Sequence, residues 1–340
     1  MFASEVLRAF RLSLPNENNA EAWNHTIEKA YVMNKWFEPE NIRQSLGQWN
    51  EALSDKNAEE WLSAYKWNKP KSPLKIGIIM AGNIPLVGIH DAICALVAGH
   101  HIQVKFSSED ETLPKFWLEQ AAIYMPDLKN RMVFSENMKE INAAIATGSN
   151  NSARYFEYYF RNIPSLLRKN RNSVAVLSGN ETPEQLRDLG HDVFDYFGLG
   201  CRNITHLLLP ENYAFKPLFD AWEEFYFLIN HNKYVNNFHY HRALLLMNLD
   251  PHMDNGFVLL KERQDLYSPV GMLNYSFYKN SDEIEAYLKE NEEGIQCVVS
   301  GIPEIKGLEF GQTQKTQLGD YADNMDTLKW LIGLESTAKQ

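Results

Sequence analysis

Residues 74–82, LKIGIIMAG, form an unbroken apolar run that ends in glycine. A half-exposed strand would alternate apolar and polar side chains, so this run predicts a strand buried on both faces. Residues 83–100, NIPLVGIHDAICALVAGH, read as helical and stop at Gly99; residues 101–107, HIQVKFS, read as a second strand. Strand, helix and strand in succession predict a parallel sheet. The alternation continues. Residues 116–125 look helical, 141–149 (INAAIATGS) are another apolar run ending in Gly-Ser, and 150–160 open a helix. Residues 173–179 (SVAVLSG) predict a strand and 181–198 a helix with proline in its first turn. Beyond them the pattern predicts a strand at 205–210, a helix at 216–229, strands at 242–248, 256–261 and 270–277, a helix at 281–291 and a strand at 295–301.

The ends of the chain differ from this middle. Residues 1–70 carry apolar side chains at helical spacing, for example Ala22, Trp23, Ile27, Ala30 and Tyr31, and predict several short helices. They end at the proline-bearing stretch KWNKPKSP, residues 66–73, and the tail from residue 311 is less regular. The fold class is α/β, in two lobes each built on a mostly parallel sheet, with an N-terminal helical segment. A chain of 340 residues is long enough for two cores.

Composition narrows the function. The net charge of −11 argues against long-range attraction to nucleic acid or an anionic membrane surface. No window reaches about 18 uncharged apolar residues, and the N-terminus lacks the apolar region of a signal peptide, so no membrane span and a cytoplasmic location are expected. Cys94, Cys201 and Cys297 are odd in number and far apart, which is not a disulfide framework.

Neither GxGxxG nor GxxxxGK[ST] is present. Two strand–glycine–helix junctions, at Gly82-Asn83 and Gly148-Ser149, would aim helix N-terminal amides at an anion or a developing oxyanion, although such junctions occur in any α/β protein. Cys201 lies between Gly200 and Arg202. Glycine permits close approach, and Arg202 with nearby amides would favour a thiolate; a small packed hydrophobe fits the same residues. Cys94 and Cys297 fall inside apolar helix and strand patterns and read as packed. His239 and His241 form an HxH pair that on a strand would face one way, but no third ligand is specified and no metal is assigned.

Four blocks, in order, resemble the aldehyde dehydrogenase superfamily. Residues 80–109 (MAGNIPLVGIHDAICALVAGHHIQVKFSSE) are similar to its asparagine loop, helix and Lys-Pro-Ser-Glu strand end. Residues 145–152 (IATGSNNS) resemble its Phe-Thr-Gly-Ser strand end, 198–201 (GLGC) its nucleophile block, and 265–270 (DLYSPV) its Glu-x-Phe-Gly-Pro-Val block. Within that superfamily the strings ATGSNNSARYFEYYF, RKNRNSVAVLSGNET, DYFGLGCRN and FGQTQKTQLGDYADNMDT resemble the LuxC-type fatty acyl-CoA reductases.

The resemblance implies an aldehyde dehydrogenase-like fold with a helical segment at 1–70, a nucleotide-binding domain at 71–177 on which the tail 308–340 packs back, and a catalytic domain at 178–307. It implies Cys201 as nucleophile and Asn83, with the Cys201 N–H, as oxyanion hole. Lys105, Ser107, Ser108, Gly148, Ser149 and Asp265 are implied cofactor contacts, Asp265 standing where the family has glutamate. The hydrolytic members place a general-base glutamate about 34 residues before the cysteine; here that position is Leu167, flanked by Leu166, Arg168 and Lys169. Without a base to activate water, a thioacyl enzyme persists until hydride or a thiol reaches it. Ser108 replaces a glutamate that would repel a 2′-phosphate, which points to NADPH, with NADH as the alternative that Glu109 keeps open. The expected activity is reduction of an acyl-CoA or acyl carrier thioester to the aldehyde. Aldehyde oxidation to free acid, and a non-catalytic nucleotide-binding relative or partner subunit, are the alternatives. The family's oligomerisation hairpin has no counterpart before the asparagine loop, so a homo-oligomer or an acyl-transfer partner protein stays an open expectation.

Overall fold

The computed structural model describes residues 2–67, 72–148 and 150–334. They form two compact units, one drawn from the ranges 1–170 and 316–340 and one of residues 171–315.

The first unit begins with four helices, α1 (Phe2–Leu12), α2 (Ala20–Met33), α3 (Pro39–Ala52) and α4 (Asp55–Ser63). Then come β1 (Lys75–Ile79), α5 (Ile89–Val97), β2 (His101–Lys105), α6 (Thr112–Tyr124), β3 (Met132–Phe134), β4 (Ala143–Thr147), α7 (Asn150–Phe160) and β5 (Ser165–Arg168). The sheet order is β3-β2-β1-β4-β5, all parallel. β1 is central, and Ile76 and Ile78 are fully buried, which is why its sequence shows no alternation. The N-terminal helices share this core. α1 packs on α5 and α6, and the buried Trp117 indole donates to the Phe10 carbonyl (3.1 Å) and to Ser13 Oγ (3.0 Å).

Residues 316–334 pack on the same unit through side-chain ties to their backbone and hydroxyls. Trp61 Nε1 donates to Tyr321 Oη (2.8 Å), Tyr65 Oη meets Tyr321 Oη (2.7 Å) and donates to Asp326 (3.0 Å). Burial pushes the Tyr65 phenol up to about 12. The ring nitrogens of His90 and His100 meet the carbonyls of Leu318 (3.0 Å) and Leu331 (3.1 Å). Arg168 and Asp91 form an almost fully buried ion pair at 2.7 Å, and Arg168 also donates to Thr327 Oγ1 at 2.6 Å.

The second unit carries β6 (Asn172–Val176), α8 (Pro183–Phe194), β7 (Ile204–Pro210), α9 (Phe215–Ala221), α10 (Asn232–Met247), β8 (Met253–Asp254), β9 (Leu259–Glu262), β10 (Met272–Tyr278), α11 (Ser281–Glu290) and β11 (Ile295–Ser300). The sheet order is β11-β6-β7-β10-β9-β8, parallel except for β8. Thr182 and Gln185 close a reciprocal capping box at the start of α8. Among the described residues, no helix is long and apolar enough to cross a membrane.

Three expectations differ from what forms. Residues 242–248, expected as a strand, are the last turns of α10. His231 caps that helix by accepting from the Tyr234 N–H, and Tyr234, Phe238 and Leu245 are buried at spacings of four and seven, so a helical face rather than a strand is covered. Leu246 and Met247 lie exposed beyond that face. On a helix His239 and His241, two residues apart, turn to different sides, so the one-face metal geometry does not form. Residues 83–88 are a loop, not helix, and α5 starts only at Ile89. The short strands β3 and β5 carry too few apolar residues to be read as separate elements.

Replacing Arg168 with methionine leaves the Asp91 carboxylate buried without its countercharge. Urea unfolding is expected to show a loss of about 3–5 kcal/mol.

Candidate active site

The first unit builds a loop at the end of β1. Strands β2 and β3 lie on one side of β1 and β4 and β5 on the other, so the strand order reverses between β1 and β4. In open α/β sheets ligands bind outside the carboxyl ends of strands at such a reversal. Asn83 stands exposed there, in loop 80–88. Glycine is required at position 82, because an added Cβ would fall 2.6 Å from the Ser107 side chain. Leu86 adopts a left-handed backbone, φ 62°, which costs roughly 1–2 kcal/mol for a residue with a Cβ. Two hydrogen bonds hold the strained segment. The Leu86 N–H donates to Asp110 Oδ2 at 2.8 Å, and Ser45 Oγ of α3 donates to the Pro85 carbonyl at 3.1 Å. Asp110 is buried, and its Oδ1 has no hydrogen-bond partner. Burial pushes this carboxyl up to about 7, against the opposing pull of the Leu86 and Leu113 amides.

The residues expected to contact a cofactor in this unit lie at the carboxyl ends of the strands flanking β1. Lys105 closes β2, and its ammonium lies 3.3 Å from a Glu136 carboxylate oxygen. Ser107 Oγ accepts from the Glu109 N–H at 3.2 Å, and Ser108 and Glu109 are exposed. Gly148 follows β4 and donates its N–H to the Arg168 carbonyl at 3.3 Å. A Cβ there would meet Ser152 and Phe156 at 2.9 Å. Ser149 lies outside the described residues. Two close-packed glycine turns at a strand-order reversal fit a dinucleotide, whose phosphates need backbone approach unobstructed by side chains.

The second unit holds Cys201, half-buried, in the turn that feeds β7. The chain leaves α8 through three consecutive left-handed residues, Tyr196 (φ 54°), Phe197 (φ 60°) and Gly198 (φ 74°). For the two aromatic residues this conformation is strained, and such strain persists only where surrounding structure dictates it. Here the surroundings are explicit. Phe197 stacks on His231 with ring centroids 4.2 Å apart. Asn203, fully buried, accepts the Gly200 N–H at 2.8 Å through Oδ1 and donates through Nδ2 to the carbonyl of Asp195 at 2.9 Å, with those of Asp192 and Val193 at 3.2 and 3.3 Å. One side chain thus ties both ends of the turn. The Cys201 carbonyl accepts from Ser173 Oγ at 3.0 Å, and the same hydroxyl lies 3.0 Å from Cys297 Sγ. Arg202 donates through Nε to the Thr313 carbonyl. Thr313 is in turn held by Asp192, whose Oδ1 accepts from its N–H (2.9 Å) and hydroxyl (2.8 Å). Cys94 is fully buried in α5, and burial pushes its thiol up.

Asp265 belongs to the segment between β9 and β10, whose backbone is gripped carbonyl by carbonyl. Tyr287 Oη donates to Gln264 O (3.2 Å), Asn274 Nδ2 to Asp265 O (3.0 Å) and Tyr267 O (2.8 Å), and Thr205 Oγ1 to Leu266 O (2.8 Å). His206 Nδ1 also meets Asp265 O at 3.0 Å, and its Nε2 meets Ser276 Oγ at 2.8 Å. The Asp265 carboxylate itself is exposed, 3.2 Å from Arg263 Nε. Burial pulls His206 down to about 4. Of the predicted residues, the first unit therefore brings together Asn83, Lys105, Ser107, Ser108 and Gly148, and the second carries Cys201 and Asp265. Leu167 lies in β5, between buried Leu166 and ion-paired Arg168, and Lys169 pairs with Glu157 at 3.3 Å. Asn203, Asp110, His206 and Asn274 were not singled out from sequence. An asparagine two residues after a candidate cysteine, beside glycine, was the available signal for Asn203.

Asn203→Ala leaves the Gly200 N–H and the Asp195 carbonyl without that partner. A loss of about 1–3 kcal/mol in urea unfolding is expected, together with altered alkylation kinetics at Cys201. His206 sets a pH dependence. Its folded pKa lies below the ordinary 6.5 of histidine, so the unfolded chain binds more protons between about pH 6.5 and 4 and stability falls as pH drops through that window. A thermal-melt series should show a shallower acid slope for His206→Asn than for the wild type.

No family model matches this sequence, and no curated protein matches it. Solved structures do resemble it. An aldehyde dehydrogenase from Mycobacterium tuberculosis complexed with NAD+ superposes with a TM-score of 0.61 at 15% identity, covering 88% of this chain and 72% of that one. Aldehyde dehydrogenase 21 from Physcomitrella patens, in complex with the product succinate, gives 0.65 at 11% identity, covering 98% and 85%. An oxidoreductase from Marinobacter aquaeolei gives 0.62 at 14%, covering 89% and 74%. The chain has the aldehyde dehydrogenase fold.

Proposed function

We propose that this protein is an NAD(P)H-dependent acyl-CoA reductase that works through a thioacyl group on Cys201. One observation carries the reading. Cys201 is half-buried on a turn held in a strained form by Asn203, while the position at which hydrolytic members of this fold carry a general base is Leu167, beside the ion-paired Arg168. With no carboxylate at that position to activate water, an acyl group on Cys201 would hydrolyse slowly.

In this reading the Cys201 thiolate attacks the carbonyl carbon of an acyl-CoA or acyl carrier thioester. A carbon–sulfur bond forms to Cys201, and the bond to the carrier thiol breaks. The Asn83 carboxamide and the Cys201 N–H are the donors assigned to the oxyanion. A reduced nicotinamide cofactor would supply a hydride, which converts the thioacyl group into the alkoxide of a thiohemiacetal. Lys105, Ser107, Ser108, Gly148, Ser149 and Asp265 are the residues assigned to hold that cofactor. Cys201 then leaves as a thiolate and the aldehyde is released. Ser108 supports NADPH, because no carboxylate at that position opposes a 2′-phosphate; exposed Glu109 and the Lys105–Glu136 pair support a trial of NADH beside it.

Wild-type protein is expected to consume NADPH with some member of an acyl-CoA panel and to show an acyl adduct on Cys201 by mass spectrometry. Cys201→Ala should lose both, with turnover down at least about three orders of magnitude. Asn83→Ala should lower turnover by on the order of 10²–10³. Free acid formed from aldehyde and NAD+ without CoA would replace this reading with an aldehyde oxidiser. Cofactor binding without any turnover would replace it with a non-catalytic relative.

A further inference from the structure

Among the described residues, Ser45 and Asp110 tether loop 80–88 by side-chain hydrogen bonds that differ in kind. Ser45 contributes a neutral hydroxyl to the Pro85 carbonyl, whereas Asp110 contributes a carboxylate to the Leu86 N–H. Asp110 is 3% exposed, and its second oxygen, Oδ1, is buried with no hydrogen-bond partner. A buried carboxylate with one unpartnered oxygen is well accommodated when neutral and poorly when charged. We propose that Asp110 is a positioning residue for the Asn83 loop, a latch that holds residues 80–88 while its carboxyl is neutral and releases them as it becomes charged.

Among the described residues, no other charge is an influence on Asp110. The influences on it are burial first, then the amides of Leu86 and Leu113. Its neighbours Glu109 and Glu111 are exposed, as are Glu40, Arg43 and Glu51 of α3. On α6, Glu119 is exposed and Lys115 pairs with Glu111 at 3.5 Å. On α5, His90 meets the Leu318 carbonyl and Asp91 is committed to Arg168. On β2, Lys105 pairs with Glu136.

The direction follows from linkage. In the closed loop burial pushes the carboxyl up to about 7, and once open to water it returns toward the ordinary 3.8. The open form therefore binds fewer protons between those values, and rising pH favours it. The proton's contribution to closure is full below about pH 3.8, shrinks as pH rises and is gone above about 7. The consequence for catalysis, through Asn83, rests on the reading under Proposed function; the latch itself does not.

Hydrogen exchange on the full-length protein tests the latch without any activity. After correction for intrinsic exchange, wild-type protection of residues 84–88 should fall by up to about tenfold per pH unit between about pH 4 and 7 and level off above 7, while peptides from β4 and β7 keep theirs. Asp110→Asn keeps an acceptor for the Leu86 N–H and removes the charge, so its profile should be flat. Ser45→Ala should raise loop exchange at every pH and keep the wild-type slope, which provides a second variant should the first fail to fold. A flat wild-type profile, a slope retained in Asp110→Asn, or a fall shared by all peptides overturns the proposal. Flat exchange with intact NADPH turnover would sink the latch alone; a sloping profile without turnover would sink the reductase reading alone.

Discussion

Backbone hydrogen bonds that leave the regular ladders have to be met by side chains, and Asn203 is where that constraint is sharpest. A thiol that a substrate can reach must sit off the sheet, in a turn, and a turn strips amides and carbonyls of their neighbours. Asn203 supplies both an acceptor and a donor at the centre of that turn and is itself fully buried. The left-handed Tyr196 and Phe197 are tolerable because this side chain, and the stacking of Phe197 on His231, fix where the turn can go. Cys201 inherits its place from these contacts. Arg202, whose charge could have served the thiol, has its Nε engaged with the Thr313 carbonyl.

The same logic recurs around the other candidate residues. The Asp265 segment has four successive carbonyls held from β7, β10 and α11, and the 80–88 loop is held by Asp110 and Ser45. In each case the residue assigned a chemical role is exposed or half-exposed, and buried polar side chains, Asn274, His206 and Thr205 or Asp110 and Ser45, help to place it. Rigid support beneath an accessible group keeps geometry while leaving the group free to meet a ligand.

The parts legible in sequence were those with local causes. The apolar run of β1 marks a strand covered on both faces, and the glycines at 82 and 148 mark turns where chain must approach chain. The α/β class and the parallel sheets followed from that alternation. What escaped was decided by tertiary contacts. The leucines at 244–246 look like a strand until one sees that only the face of α10 bearing Tyr234, Phe238 and Leu245 is covered. Asp110 reads as one more acid in an acidic stretch, SSEDE, and only the fold reveals that it is enclosed while Glu109 and Glu111 are not. Asn203, His206 and Asn274 bond to carbonyls of other segments, and composition carries no trace of those partners.

The first unit is discontinuous: its chain departs at residue 170 and returns only at 316. Leu318, Leu328 and Leu331 complete its core from that returning piece, and Tyr321 and Thr327 supply its last polar ties. During synthesis, when domains acquire structure from the N-terminal side, the α5 surface that receives these leucines must wait for the entire intervening unit to leave the ribosome. The inserted unit can fold as one continuous stretch meanwhile. Chaperone dependence of the nascent chain should accordingly centre on the helices that emerge first, not on the segment carrying the cysteine turn.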